Sequence, residues 1–144
     1  MKNAAADVQA TEPLNVGAWR WAAALGVILL VGLAVRLYRL DAQSIWYDEG
    51  WSIELAHEAP GRALVRLQEF ADPHPPGYYL LLIAWGRLVG RSVWALRALS
   101  VVLGLLTVLG VYDVGRRLFD RWTGLFAALF LTVAPAHIVY SQEM

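Results

Sequence analysis

Two short stretches hold the residue types that could do chemistry: Trp46-Tyr47-Asp48-Glu49-Gly50, and Asp72-Pro73-His74-Pro75-Pro76-Gly77-Tyr78-Tyr79. An adjacent carboxylate pair just past an apolar run can take a proton, hold a cation, or cap the helix that follows, where the positive end of the macrodipole favours acids. Charge beside lipid is costly to bury, so it calls for a partner or a task. His74 stands between prolines whose narrow backbone choices present it rigidly, which suits a ligand or a general acid. A zinc or magnesium ion there would need Asp48, Asp72 or Glu143 brought close by the fold, since the local spacing forms no metal motif. Trp46, Tyr47 and Trp51 add aromatic faces of the kind that stack on sugars or line a membrane interface. His57, beside Glu58, reads as a surface residue, and His137, just after Pro135, as a helix end. The chain lacks a Gly-x-Ser-x-Gly elbow, a P-loop and a Gly-x-Gly-x-x-Gly fingerprint, so the chemistry left is that of carboxylates.

The elements that must position these groups belong to a membrane protein. Of the 144 residues 58% are hydrophobic, above the ~45–50% of an ordinary soluble domain. The formal charge is zero, with 12 basic and 12 acidic residues, which argues against a nucleic-acid partner. There is no cysteine, hence no disulfide framework and no thiol nucleophile. Residues 1–18 read as a disordered cytoplasmic leader, and residues 19–144 as one domain without internal repeats. Three apolar segments are expected to span: Trp19 to Leu37, Ala98 to Tyr112, and Trp122 to Tyr140. Gly77 to Gly90 is apolar for only about ten residues and is read as interfacial. Asp48 to Ala59 and Arg62 to Ala71 are expected to be short helices between the first two spans, and Pro75 and Pro76 suit the start of the next. The fold class is thus an all-α polytopic membrane protein with juxtamembrane helices in its first extracytoplasmic loop. The basic run Arg116-Arg117-Leu118-Phe119-Asp120-Arg121 is expected on the cytoplasmic side, with Asp48, His74 and Ser141 to Met144 together on the other.

An ordered set of motifs then carries a resemblance. Asp48-Glu49 after the first span, Asp72-x-His74-Pro75-Pro76-Gly77-Tyr78-Tyr79-Leu80-Leu81-Leu82, Ala95-Leu96-Arg97, Gly115-Arg116-Arg117-Leu118 and Tyr140-Ser141-Gln142-Glu143 together resemble the N-terminal part of polyprenyl-phosphate-dependent GT-C glycosyltransferases. The nearest subgroup is the family 39 relatives of protein O-mannosyltransferases and lipid A aminoarabinose transferases. The resemblance implies transfer of a sugar, with inversion, from a polyprenyl-phosphate donor to a lipid, glycan or protein acceptor outside the bacterial inner membrane. It implies Asp48 as the catalytic base with Glu49 as its companion, His74, Tyr78 and Glu143 as substrate-binding residues, and His74 as the place where relatives sometimes hold a metal. No cofactor is certain, and a divalent metal ion is left open. Such enzymes have more spans and usually a soluble C-terminal domain, so the chain reads as truncated. The competing reading is a non-catalytic membrane module that binds lipid-linked sugar or supports a partner; a small transporter or channel ranks last.

Overall fold

The computed structural model describes residues 17–69 and 75–144. The expected leader lies almost wholly outside the described residues, as do Asp72 and His74. The described residues are helical, in the order α1 (Ala18–Leu37), α2 (Tyr47–His57), α3 (Pro60–Glu69), α4 (Pro76–Val89), α5 (Val93–Leu118), α6 (Arg121–Val133) and α7 (Pro135–Tyr140).

Among these, α1 and α5 are long and apolar enough to cross a membrane, while α6 is a shorter apolar helix. At 20 and 26 residues they extend ~30 and ~39 Å. Helix α5 is longer than the uncharged stretch expected, because it takes in Arg97 at one end and Asp113, Arg116 and Arg117 at the other. Its start is capped by Ser92, whose side chain accepts from the Ala95 N–H at 3.2 Å. The segment expected as a third span is divided at Ala134: Pro135 has no N–H to continue the α6 ladder and opens α7 instead.

Helices α5 and α6 form an antiparallel hairpin closed by two glycines. A Cβ on Gly115 would fall 2.8 Å from the Gly124 Cα, and one on Gly124 would fall 2.7 Å from the Tyr112 carbonyl oxygen. Small residues here let the two backbones touch, as close helix crossings in membranes require. Helix α1 lies against both.

The shorter helices form a second group over the first half of α5. Leu55, Ala63, Leu67, Tyr79 and Ile83 bury one cluster among α2, α3 and α4, and Ala56, Leu82, Leu96 and Leu99 carry it onto α5. In α4 the buried positions Tyr79, Leu82, Ile83 and Gly86 recur at three-and-four spacing, so one face packs inward while Leu81, Leu88 and Val89 stay exposed. At 14 residues α4 extends only ~21 Å. Helix α2 ends at His57, short of the expected Ala59, and Pro60 opens α3 two residues before the expected Arg62; Arg66 joins the two by pairing with Glu54 at 3.2 Å and Glu58 at 3.4 Å. The Trp85 indole donates to the Ala95 carbonyl at 2.7 Å, fastening α4 to the start of α5.

Candidate functional site

The two neighbouring carboxylates sit in opposite environments. Both lie in the first turn of α2. Glu49 is 2% exposed and Asp48 is exposed. Helical spacing turns adjacent side chains about 100° apart, so one points into the bundle and the other out of it.

Glu49 is held from several directions. Arg97 Nε donates to its Oε1 at 3.0 Å and Arg97 Nη2 to its Oε2 at 2.7 Å, a fork-on-fork pair. The Trp46 N–H donates to Oε2 at 3.3 Å and the Met144 N–H to Oε1 at 3.2 Å. Arg97, itself wholly buried, spends Nη1 on the carbonyls of Leu40 at 2.8 Å and Gln43 at 3.3 Å. The pair therefore ties the start of α5 to the start of α2 and to the α1–α2 connection. Each oxygen of this carboxylate thus accepts from the buried guanidinium and from one backbone N–H, and neither is left open to a substrate. The Asp48 carboxylate, in contrast, makes no hydrogen bond or ion pair among the described residues; only its main-chain carbonyl is used, accepting from Ser52 Oγ at 3.2 Å.

Tyr78 lies half-buried on α4, with its hydroxyl 3.5 Å from Ser100 Oγ on α5. Burial holds its phenol above the usual range, the charge of Glu49 adds to that effect and the Ser100 hydrogen bond opposes it. It is a hydrogen-bonding group within the field of Glu49. Glu143 is half-buried between two anchored residues. On one side the Gln142 amide donates to the Arg36 carbonyl at 2.9 Å and the Tyr38 carbonyl at 3.1 Å, satisfying the end of α1, and on the other Met144 meets Glu49. His74 lies outside the described residues. Among those described, no group of three or more His, Asp or Glu side chains is arranged to hold a metal ion.

Next to this region is a second buried cation. Arg36 donates from Nη1 to the carbonyls of Gly32 at 3.1 Å and Thr132 at 3.3 Å, and from Nη2 to His137 Nδ1 at 2.6 Å. Because arginine is always protonated, His137 must accept at Nδ1 and carry its proton on Nε2. His137 is thus a partner inside α7 and not a mere helix end. The Thr132 carbonyl lies one residue before Val133, where the Pro135 break interrupts the ladder, and Arg36 answers it. Arg36 Nε and Thr132 Oγ1 have no partner among the described residues.

The sequence reading marked Asp48, Glu49, Tyr78 and Glu143, and the fold brings the last three toward one end of α5. It gave no role to Arg97, Arg36 or Gln142. The available signal was Arg97 itself, a charge between Leu96 and Ala98 at the edge of an apolar stretch, which demands a buried partner.

Comparison with known proteins bears on this arrangement. A family model described as dolichyl-phosphate-mannose-protein mannosyltransferase matches residues 73–144, half of the chain. The match begins after Asp48 and Glu49 but contains Arg97, Gln142 and Glu143. The chain is also similar to dolichyl-phosphooligosaccharide-protein glycotransferase 1 of Pyrococcus horikoshii, at 38% identity over 69 residues, 44% of this chain and 7% of that protein. The chain therefore spans a small part of this curated relative. No solved structure matches it.

Proposed function

Because the chain belongs to the dolichyl-phosphate-mannose-protein mannosyltransferase family, we propose that it is the N-terminal catalytic portion of a membrane glycosyltransferase that moves a sugar from a polyprenyl-phosphate donor to an extracytoplasmic acceptor. The observation that carries the assignment of roles is the split within the acidic pair: Glu49 is consumed by Arg97, while Asp48 is exposed and unpaired among the described residues.

In this reading Asp48 is the general base. Its carboxylate takes the proton of an acceptor hydroxyl as that oxygen forms its bond to the anomeric carbon. The bond from that carbon to the phosphate oxygen breaks on the opposite face, and its electron pair leaves with the phosphate. One displacement of this kind inverts the anomeric centre. The phosphate departs already charged and needs cationic stabilisation more than a proton. Arg97 is not free to give it. Glu49 and Arg97 act instead by fixing the first turn of α2, so that Asp48 is presented at a constant position. Tyr78 and Glu143 border the same end and are assigned to substrate contact, with His74 a further candidate for substrate or a divalent metal. Residues 38–96 and 141–144 face the extracytoplasmic side, and the Arg116–Arg121 run faces the cytoplasm.

The test uses the full-length protein with a radiolabelled polyprenyl-phosphate sugar. Asp48→Asn keeps the shape and breaks no side-chain hydrogen bond among the described residues but cannot take a proton, so turnover should fall by ~10²–10⁴ while folded yield is unchanged. Parental turnover in that variant, with chemistry limiting, would remove Asp48 from the reaction and favour a non-catalytic module or another carboxylate.

A further inference from the structure

The end of the bundle away from Asp48 carries positive charge that its own acids do not balance. Arg20 near the start of α1, Arg116 and Arg117 at the close of α5, and Arg121 at the first position of α6 come together there. Contact between Gly115 and Gly124 brings the α5 and α6 ends together. The Trp21 and Trp122 rings, 4.9 Å apart edge to face, add the α1 end.

Four guanidinium groups here face two carboxylates, and both acids are already engaged. Asp113 accepts from Arg116 Nε at 2.8 Å and from Arg117 Nε at 2.7 Å. Asp120 accepts from the Thr123 N–H at 2.8 Å as the α6 cap, and that bond keeps its carboxyl below the usual range. Arg20 and Arg121 make no ion pair among the described residues. Both occupy the N-terminal turn of a helix, where the macrodipole is positive and a cation is disfavoured unless an anion is near. The Arg121 guanidinium lies over the Trp21 ring, 5.9 Å from its centroid, so the α6 start rests on the α1 start. Trp19 and Trp122 are each more than 60% exposed beside these cations. Exposed indoles next to arginines match the depth at which lipid headgroups sit above acyl chains.

We propose that Arg20 and Arg121, with Trp21 and Trp122 as their aromatic floor, form a binding site for the phosphate of an anionic phospholipid. Two helix N-termini and two unpaired guanidinium groups supply donors for phosphate oxygens, and the indoles lie against the upper acyl chains. The inference rests on this end of the molecule alone and is independent of the glycosyltransfer reaction.

Native mass spectrometry of the chain released from micelles doped equally with phosphatidylglycerol and phosphatidylcholine tests it. The parental chain should retain phosphatidylglycerol in preference by about thirtyfold, as two unbalanced positive charges near a headgroup imply. That preference should shrink when ammonium acetate is raised, because the attraction is screened. The double variant Arg20→Gln with Arg121→Gln should retain both lipids alike, whereas Arg62→Gln at the other end should behave as the parent. Equal retention of both lipids by the parental chain, a preference unmoved by salt, or a folded double variant with the parental preference would each overturn the site. The salt comparison uses the parental chain only, so it decides even where the double variant fails to fold.

Discussion

Arg97 determines what each member of the Asp48–Glu49 pair is able to do. Removing one partner of a buried ion pair strands the other charge, at a typical cost of ~3–5 kcal/mol. Arg97→Leu should therefore lower the thermal stability of the detergent-purified protein sharply, whereas Asp48→Asn should leave it within ~0.5 kcal/mol of the parent, as an exposed substitution does. Glu49→Gln keeps the acceptor oxygen and the shape and should fall between them. Equal stability losses for Arg97→Leu and Asp48→Asn would contradict the division of roles. The sequence made the acidic pair legible but not this division, because Arg97 lies 48 residues from Glu49 and pairing over such a separation leaves no local pattern. Helical rotation places one of two neighbours inside, yet which one depends on where α5 runs.

Helix boundaries show the same limit at the next scale. Apolar length located α1 and the proline pair located the start of α4, since both signals are local. The third apolar segment is broken because Pro135 removes one ladder bond, and a distant side chain, Arg36, makes the break tolerable by serving the Thr132 carbonyl. Pro135→Ala should let α6 run on into α7. Spin labels at positions 126 and 140 would then report a separation near the ~21 Å of 14 continuous helical residues, longer than in the parent. An unchanged distance would mean that Arg36 and His137, and not the proline, hold the bend. At the α5–α6 crossing, Gly124→Ala would drive a methyl into the Tyr112 carbonyl and cost ~1–3 kcal/mol, whereas Gly110→Ala meets open space and should be neutral or slightly stabilising. Comparing the unfolding of the two variants in detergent checks the pair.

For the whole molecule, composition made an all-helical membrane chain legible, and the ordered motifs led to the family that residues 73–144 match. The gathering of arginines at one end of three helices was legible only as a basic loop, because Arg20 joins it from more than 90 residues away. The proposed orientation is open to direct test, since the 144 residues contain no cysteine to be removed first. A membrane-impermeant thiol reagent on intact cells should label Ser44→Cys and Arg62→Cys and spare Arg117→Cys; the reverse pattern would invert the topology. The anchoring of Arg97 has a further consequence for how the molecule meets bilayers of different thickness. Between Arg97 and Asp113 the uncharged part of α5 is 15 residues, ~22 Å, which is shorter than a ~30 Å hydrocarbon layer. Such a mismatch is relieved by local thinning or by charged side chains reaching toward water. Arg97 cannot reach, being fixed on Glu49 and on the Leu40 and Gln43 carbonyls. Arg116 and Arg117, exposed at the far end, can. In the proposed orientation a thicker or thinner membrane is therefore accommodated at the arginine-rich rim, and the first turn of α2 is mechanically insulated from the surrounding lipid.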